Sequence, residues 1–260
     1  MHFTKMHGLG NDYLYVYGFP VDPEERSIKL SERHFGAGSD GMIYIMPSLK
    51  ADFEMRIFNA DGSEAMMCGN GIRCVGKYVY DKGYTKKKEL DIDTKSGIKH
   101  LSLHTNAQNK VDLVTVDMGE REILDPALEA EGHTGTYVSM GNPHFVLFTE
   151  DAEAAPVDTL GPVLECAPQF PDRANIEFVQ VIDEHTLRMR VWERGSGITM
   201  ACGTGACASV AAAAAHHLVP MNERIEVKLD GGSLYISVSD SGAVEMTGPA
   251  AVVYEGETVE

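Results

Sequence analysis

The chain has 260 residues, enough for one large domain or two of ordinary size, and 43% of them are hydrophobic, which supplies a full core. A formal net charge of -17 argues against a nucleic-acid or anionic-membrane surface, and no apolar run is long enough to span a bilayer. Five cysteines at no framework spacing fit a reducing compartment, and Met1-His2-Phe3-Thr4-Lys5 has no export pattern, so a cytoplasmic location is expected.

Phe3 to His7 and Tyr13 to Tyr17 read as strands around the loop Gly8–Asp12, where Asn11 is either a turn residue or a ligand contact. Asp22-Pro23-Glu24-Glu25 combines an N-cap residue, a proline at the first helical position and early acids, predicting a helix that ends near Phe35-Gly36. The glycine-rich loop Gly36–Gly41 is not a dinucleotide fingerprint, and no P-loop lysine follows it. Met42 to Met46 is expected as a strand, and the alternation from Phe53 to Phe58 gives another that delivers Asn59 to the turn Ala60–Ser63. Cys68 comes next, followed by a helix to Asp81 whose apolar face is Ile72, Val75 and Val79; Cys74 reads as packing. Leu90 to Asp93, Ile98 to Leu103 and Val111 to Asp117 read as a meander. Glu120 to Thr136, rich in Glu, Gly and Pro, is the candidate linker.

Beyond that stretch the pattern restarts. Ser139-Met140-Gly141-Asn142-Pro143-His144 echoes the loop containing Asn11, Ala174-Asn175-Ile176-Glu177-Phe178-Val179 stands in the place of Ser39 to Tyr44, and Met189 to Ser196 stands in the place of Met55 to Ser63. Cys202-Gly203-Thr204-Gly205 then falls 134 residues after Cys68-Gly69-Asn70-Gly71. The helix from Gly205 to about Leu218 is nearly all alanine, hence buried all round, and ends before Pro220. The organisation expected is therefore α+β, with two pseudo-symmetric halves, each a mixed sheet or barrel wrapped around a central helix. The first half is 1–120, with a tail of about 249–260 returning to it, and the second is 121–248.

The two cysteine turns carry the chemistry. A thiol at a helix start meets the positive end of the macrodipole and amides with no partner within the helix, which favour the thiolate and can hold a carboxylate. Two such turns on either side of one α-carbon suit a two-base racemase or epimerase. Glu193 and Arg194, on the turn ahead of Cys202, form a surface ion pair or else hold a substrate ammonium and carboxylate. His144 is a hydrogen-bonded loop residue or a tuner of the nearby thiol. No histidine cluster marks a metal site, and no lysine stands out as an anchor for pyridoxal phosphate, so neither metal nor cofactor is expected. A proline-type racemase, a non-catalytic amino-acid binding protein and a pair of structural cysteines remain open at this point; a thiol–disulfide oxidoreductase lacks its C-x-x-C pair.

Phe3 to Asp12, Phe58 to Glu64, Cys68 to Cys74, Ser139 to His144 and Glu193 to Cys207 together resemble the diaminopimelate epimerase family, in order and out to Thr247-Gly248-Pro249-Ala250. The resemblance implies cofactor-independent interconversion of LL- and meso-diaminopimelate, in lysine and peptidoglycan biosynthesis, by a homodimer. It places the catalytic thiols on Cys68 and Cys202. Substrate contacts fall on Asn11, Asn59, Asn142, Asn175, Glu193 and Arg194 and on the amides of Gly69, Asn70, Gly203 and Thr204. His144 and Glu193 match positions that influence the thiols, and Tyr254 matches a tail residue at the dimer contact. Two departures stand out: some members have glutamine where this chain has Gly41, and the stretch between Glu120 and Val138 is short for the family.

Overall fold

Strand pairing in the computed structural model, which describes residues 1–259, repeats once along the chain. The chain divides into two compact units, Met1–Val116 with the segment from Gly248 onward, and Asp117–Thr247.

In the first unit β1 (His2–Gly8) and β2 (Asn11–Tyr17) form a hairpin, α1 (Pro23–Ser31) follows, and β3 (Gly41–Pro47) lies parallel to β2. β4 (Phe53–Asn59) runs antiparallel to β3, with the two-residue β5 (Glu64–Ala65) folded back on its end. After α2 (Gly69–Asp81), β6 (Glu89–Thr94) lies parallel to β4, and β7 (Gly97–Thr105) and β8 (Val111–Glu120) extend the meander. α2 packs on β1, β2 and β7. Its Ile72, Val75 and Val79 are fully buried, because a 3.6-residue period puts them on one face.

The second unit opens with β9 (Glu122–Ala130) and β10 (His133–Ser139), followed by β11 (Pro143–Phe148), α3 (Val157–Glu165) and β12 (Asn175–Asp183), the last parallel to β11. β13 (Thr186–Glu193) pairs antiparallel with β12 and carries the short β14 (Gly197–Ile198). α4 (Gly203–Ala215) precedes β15 (Ile225–Leu229), which is parallel to β13, and β16 (Gly232–Val238) and β17 (Ala243–Pro249) complete the unit. Antiparallel, parallel, antiparallel, parallel and antiparallel pairings thus succeed one another in the same order in both units. α4 is buried on every side by β9 to β13, β15 and β16, and its alanines let strands approach from all directions.

The final strand, β18 (Ala251–Glu257), pairs antiparallel with β1, from His2 opposite Glu257 to His7 opposite Ala251. β9 flanks β10 in the second unit just as β18 flanks β1 in the first. Tyr254 is exposed on β18, stands edge-on to Phe3 and donates its hydroxyl to the Ala37 carbonyl at 3.1 Å.

Two expectations are corrected. The stretch Glu120 to Thr136 is a β-hairpin rather than a linker. Glu131 and Gly132 both take positive φ, as its two-residue turn requires, and Pro126 sits where the register slips, so its missing N–H costs no ladder bond. The first helix ends at Ser31 and not near Phe35. The amides of Ala37, Gly38 and Ser39 fold back onto the carbonyls of Leu30 and Ser31, satisfying the helix end early. Asp22, in the left-handed region, makes no side-chain cap, so Pro23 and the acids mark that start alone.

Candidate active site

Cys68 and Cys202 are each the N-cap of a helix. Cys68 leads α2 in an extended conformation and its sulfur accepts the Gly71 amide at 3.3 Å; Cys202 does the same for α4, accepting the Gly205 amide at 3.3 Å. A sulfur three residues before the amide satisfies one of the free N–H groups of the first turn, which explains why C-G-x-G appears twice. The glycine leaves room for a close neighbour. An added Cβ would lie 2.7 Å from the Ile43 side chain at Gly71, and 2.7 Å from a Glu177 carboxylate oxygen at Gly205, so either neighbour would have to shift.

Around Cys68, the thiol donates to the Asn11 side-chain oxygen at 3.3 Å, and the Asn11 amide nitrogen donates to Asp40 at 3.0 Å. Asp40 also accepts the Asp12 backbone amide at 3.0 Å and is braced by Arg33 at 3.0 Å, so it fixes which way the Asn11 amide faces. Burial, above all, holds the Asp40 carboxyl above its usual range. Asn59, at the end of β4, donates to Ser63 at 3.0 Å, while Ser27 of α1 donates to the Asn59 carbonyl at 2.8 Å. Burial, followed by the neighbouring Cys68, pushes the Tyr13 phenol far up, keeping it a neutral hydrogen-bonding group. Cys74 is fully buried and burial pushes its thiol up to about 11, in keeping with a packing role.

Arg73 is the largest fully buried side chain of the fold. It donates to the Gly69 carbonyl at 3.2 Å, to the Asn70 side chain at 3.0 Å and to the Pro249 carbonyl at 3.2 Å. The guanidinium therefore ties Gly69 and Asn70 of the cysteine turn to the segment that leads into β18. Arg73→Met, apolar, shorter and without donors, is expected to cost roughly 2–4 kcal/mol by stranding buried acceptors and leaving part of the guanidinium site empty. Urea unfolding measures it, and an unchanged midpoint would refute the clamp.

Around Cys202, Asn142 donates to the Thr204 hydroxyl at 3.3 Å, and that hydroxyl lies 3.6 Å from the sulfur. His144 is fully buried, with Nδ1 at 2.7 Å from Glu177 and Nε2 at 3.1 Å from the Asn142 side-chain oxygen. Asn175 donates to the Pro143 carbonyl at 2.9 Å and accepts the Arg194 backbone amide at 3.0 Å, joining the β11 and β13 loops. Glu193 accepts the Thr199 hydroxyl, and burial foremost raises its carboxyl. Arg194 is exposed and donates to the Asp172 carbonyl at 2.8 Å, so the Glu193–Arg194 ion pair foreseen as the default does not form. The turn is braced instead by Glu165, which accepts from Trp192 at 2.7 Å and from the Gly195 amide at 3.0 Å.

The helix start was expected to favour the thiolate at both cysteines, and at Cys202 this is reversed. Burial, then the carboxylates of Glu193 and Glu177, hold the thiol well above its ordinary range against the opposing pull of Thr204 and the Gly205 amide. A fully desolvated sulfur beside carboxylates outweighs a partial helix charge. The surroundings of Cys202 thus favour the protonated thiol. Asp40, Thr199, Glu165 and Glu177 were not singled out from the sequence. Only Glu177 leaves a trace there, as a carboxylate inside the apolar run Ile176 to Val179.

Among the described residues no group of three or more His, Cys, Asp or Glu side chains is disposed to hold a metal ion, and no helix is long and apolar enough to cross a membrane.

Solved structures define the class of fold. A PhzF-family phenazine biosynthesis protein from Bacillus anthracis superimposes with a TM-score of 0.77 at 18% identity, covering 100% of this chain and 99% of that one. A probable proline racemase from Agrobacterium radiobacter, with bound carbonate, gives 0.77 at 13% identity over 99% and 92%. These two share the architecture. The model of the diaminopimelate epimerase family matches residues 3–124 and 136–253, leaving out most of the β9–β10 hairpin, within the stretch noted as short. The diaminopimelate epimerase of Bacteroides thetaiotaomicron is 54% identical over 98% of this chain and 97% of its own, and that of Methanococcus maripaludis is 48% identical over 99% of each. The chain belongs to the diaminopimelate epimerase family.

Proposed function

We propose that this chain interconverts LL- and meso-diaminopimelate without a cofactor, with Cys68 and Cys202 as its two acid–base groups. One sulfur, as thiolate, takes the α-proton; the other, as thiol, delivers its own proton to the opposite face of the same carbon, so configuration inverts and the two sulfurs exchange protonation states. The observation that carries this reading is the repeated cysteine-capped helix, at Cys68 and again at Cys202, in a chain of this family.

An α-proton is far less acidic than a thiol, so negative charge spreading into the substrate carboxylate must be stabilised as it forms. The first-turn amides of Gly69 and Asn70, and of Gly203 and Thr204, are donors for that charge and need no rearrangement. Asn11, Asn59, Asn142, Asn175 and Arg194 hold the two polar ends of the substrate, and Glu193 its ammonium. Glu193 and His144 adjust the acidity of the second thiol. The same reading takes the protein to be a cytoplasmic homodimer with Tyr254 of β18 at the contact, serving lysine and peptidoglycan synthesis.

Incubation in heavy water tests the reaction. Deuterium is expected at the α-carbon of LL- and meso-diaminopimelate, read by mass spectrometry, and none in proline. Exchange into proline, or no exchange into diaminopimelate, would refute the reading.

A further inference from the structure

The two cysteine turns differ in what lies behind them. The closest side chain to an added Cβ at Gly71 is Ile43 at 2.7 Å, with the Cys68 sulfur at 3.5 Å; at Gly205 it is Glu177 at 2.7 Å, with the Cys202 sulfur at 3.2 Å. Ile43 lies on β3, parallel to β2, and Glu177 on β12, parallel to β11, so the same place in the repeat holds a methyl group in one unit and a carboxylate in the other. Both side chains are fully buried. An ionised carboxylate in a strand core costs several kcal/mol unless it is well paired. Among the described residues one Glu177 oxygen has no hydrogen-bond partner, while the other meets His144 at 2.7 Å. From His144 the contacts run to Asn142 at 3.1 Å, from Asn142 to the Thr204 hydroxyl at 3.3 Å, and from that hydroxyl to the Cys202 sulfur at 3.6 Å.

We propose that Glu177 is a positioning residue for the second thiol, anchoring the His144–Asn142–Thr204 chain that ends on Cys202 and placing negative charge behind that sulfur. Fixing the ring by its Nδ1 sets what Nε2 presents to Asn142, and hence how the Thr204 hydroxyl is aimed. The carboxylates acting on Cys202 are Glu193 from β13 and Glu177 from β12, with His144 of β11 at 2.7 Å from Glu177. Both charges disfavour a thiolate there, whereas the Thr204 hydroxyl favours it. The isoleucine at the matching place behind Cys68 carries no charge. Glu177 thus helps to keep Cys202 protonated before substrate arrives. This rests on Cys202 being an acid–base group of the reaction.

The test reads the sulfur directly, peptide by peptide, as iodoacetamide alkylation against pH, with Cys68 as internal control. Glu177→Gln and Glu177→Ile, the latter copying the first unit, are expected to move the Cys202 profile down by roughly one pH unit, the effect of removing a nearby like charge, and to leave Cys68 in place. Glu177→Asp, which keeps the charge, restores the wild-type profile. Thr204→Val, made on a partly exposed residue, moves the profile the opposite way, upward, and so tests the chain even where a Glu177 variant does not fold. Profiles that stay at the wild-type position in folded Glu177→Gln, or in Thr204→Val, overturn the proposal. Alkylation needs no turnover: shifted profiles in a protein without epimerase activity refute the proposed function alone, and unshifted profiles in an active one refute only the role of Glu177.

Discussion

Cys68→Ala and Cys202→Ala are each expected to lower epimerisation by roughly 10²–10⁴-fold or to background, the range attached to a positioned acid or base. The loss should appear in both directions for both variants, since under the proposed two-base scheme one sulfur accepts a proton and the other supplies one in each turnover. A stability effect does not explain it. Losing the sulfur that caps α2 or α4 costs about 1 kcal/mol, as N-cap losses do, which leaves a folded enzyme to assay. Circular dichroism supplies the control and chromatographic separation of the two isomers the rate. Near-normal turnover in both directions by either variant would end the two-base scheme.

Gly41→Gln is expected to be the most damaging single change to stability near the site, costing roughly 3 kcal/mol or more. Gly41 opens β3 opposite Asn59 with φ 156°, a backbone conformation that side chains rarely adopt. A Cβ there would fall onto the Phe58 carbonyl oxygen and stand 3.0 Å from both the Asn59 Cα and the Tyr13 ring. None of these can swing aside as the tip of a long side chain would, since two are backbone and the ring is buried. Relief would have to displace Asn59 and Tyr13, so the residues beside Cys68 would shift together. Urea unfolding gives the loss, and a midpoint equal to wild type would show that β3 accommodates the side chain after all.

Much of this was legible in the sequence, for identifiable reasons. Period-two alternation marks β4, the 3.6-residue period marks α2, and an all-alanine run can only be a buried helix, which α4 is. The C-G-x-G turns are legible because a capping sulfur and a closely approached glycine allow few substitutes. The β9–β10 hairpin was missed because few of its side chains are buried and its pairing is carried by backbone, which leaves no hydrophobic pattern. The braces around each thiol were missed for another reason. Asp40, Glu165 and Glu177 act through geometry between distant segments, such as Glu177 meeting His144 across 33 residues, and spacing along a chain does not report that. The acidity of Cys202 was misjudged on the same ground. A helix start is visible in a sequence, but the carboxylates beside it are not.

The pairing of β18 with β1 has a consequence for biogenesis. Residues 117–247 form one uninterrupted stretch that can close its own sheet as soon as it leaves the ribosome. The earlier-made unit must wait with β1 open along one edge until residue 257 emerges, an interval in which that edge is free to pair with other chains. Translation order and maturation order are therefore opposed here, and the capped α2 turn gains its Arg73 tether to Pro249 only once the second unit has already been synthesised.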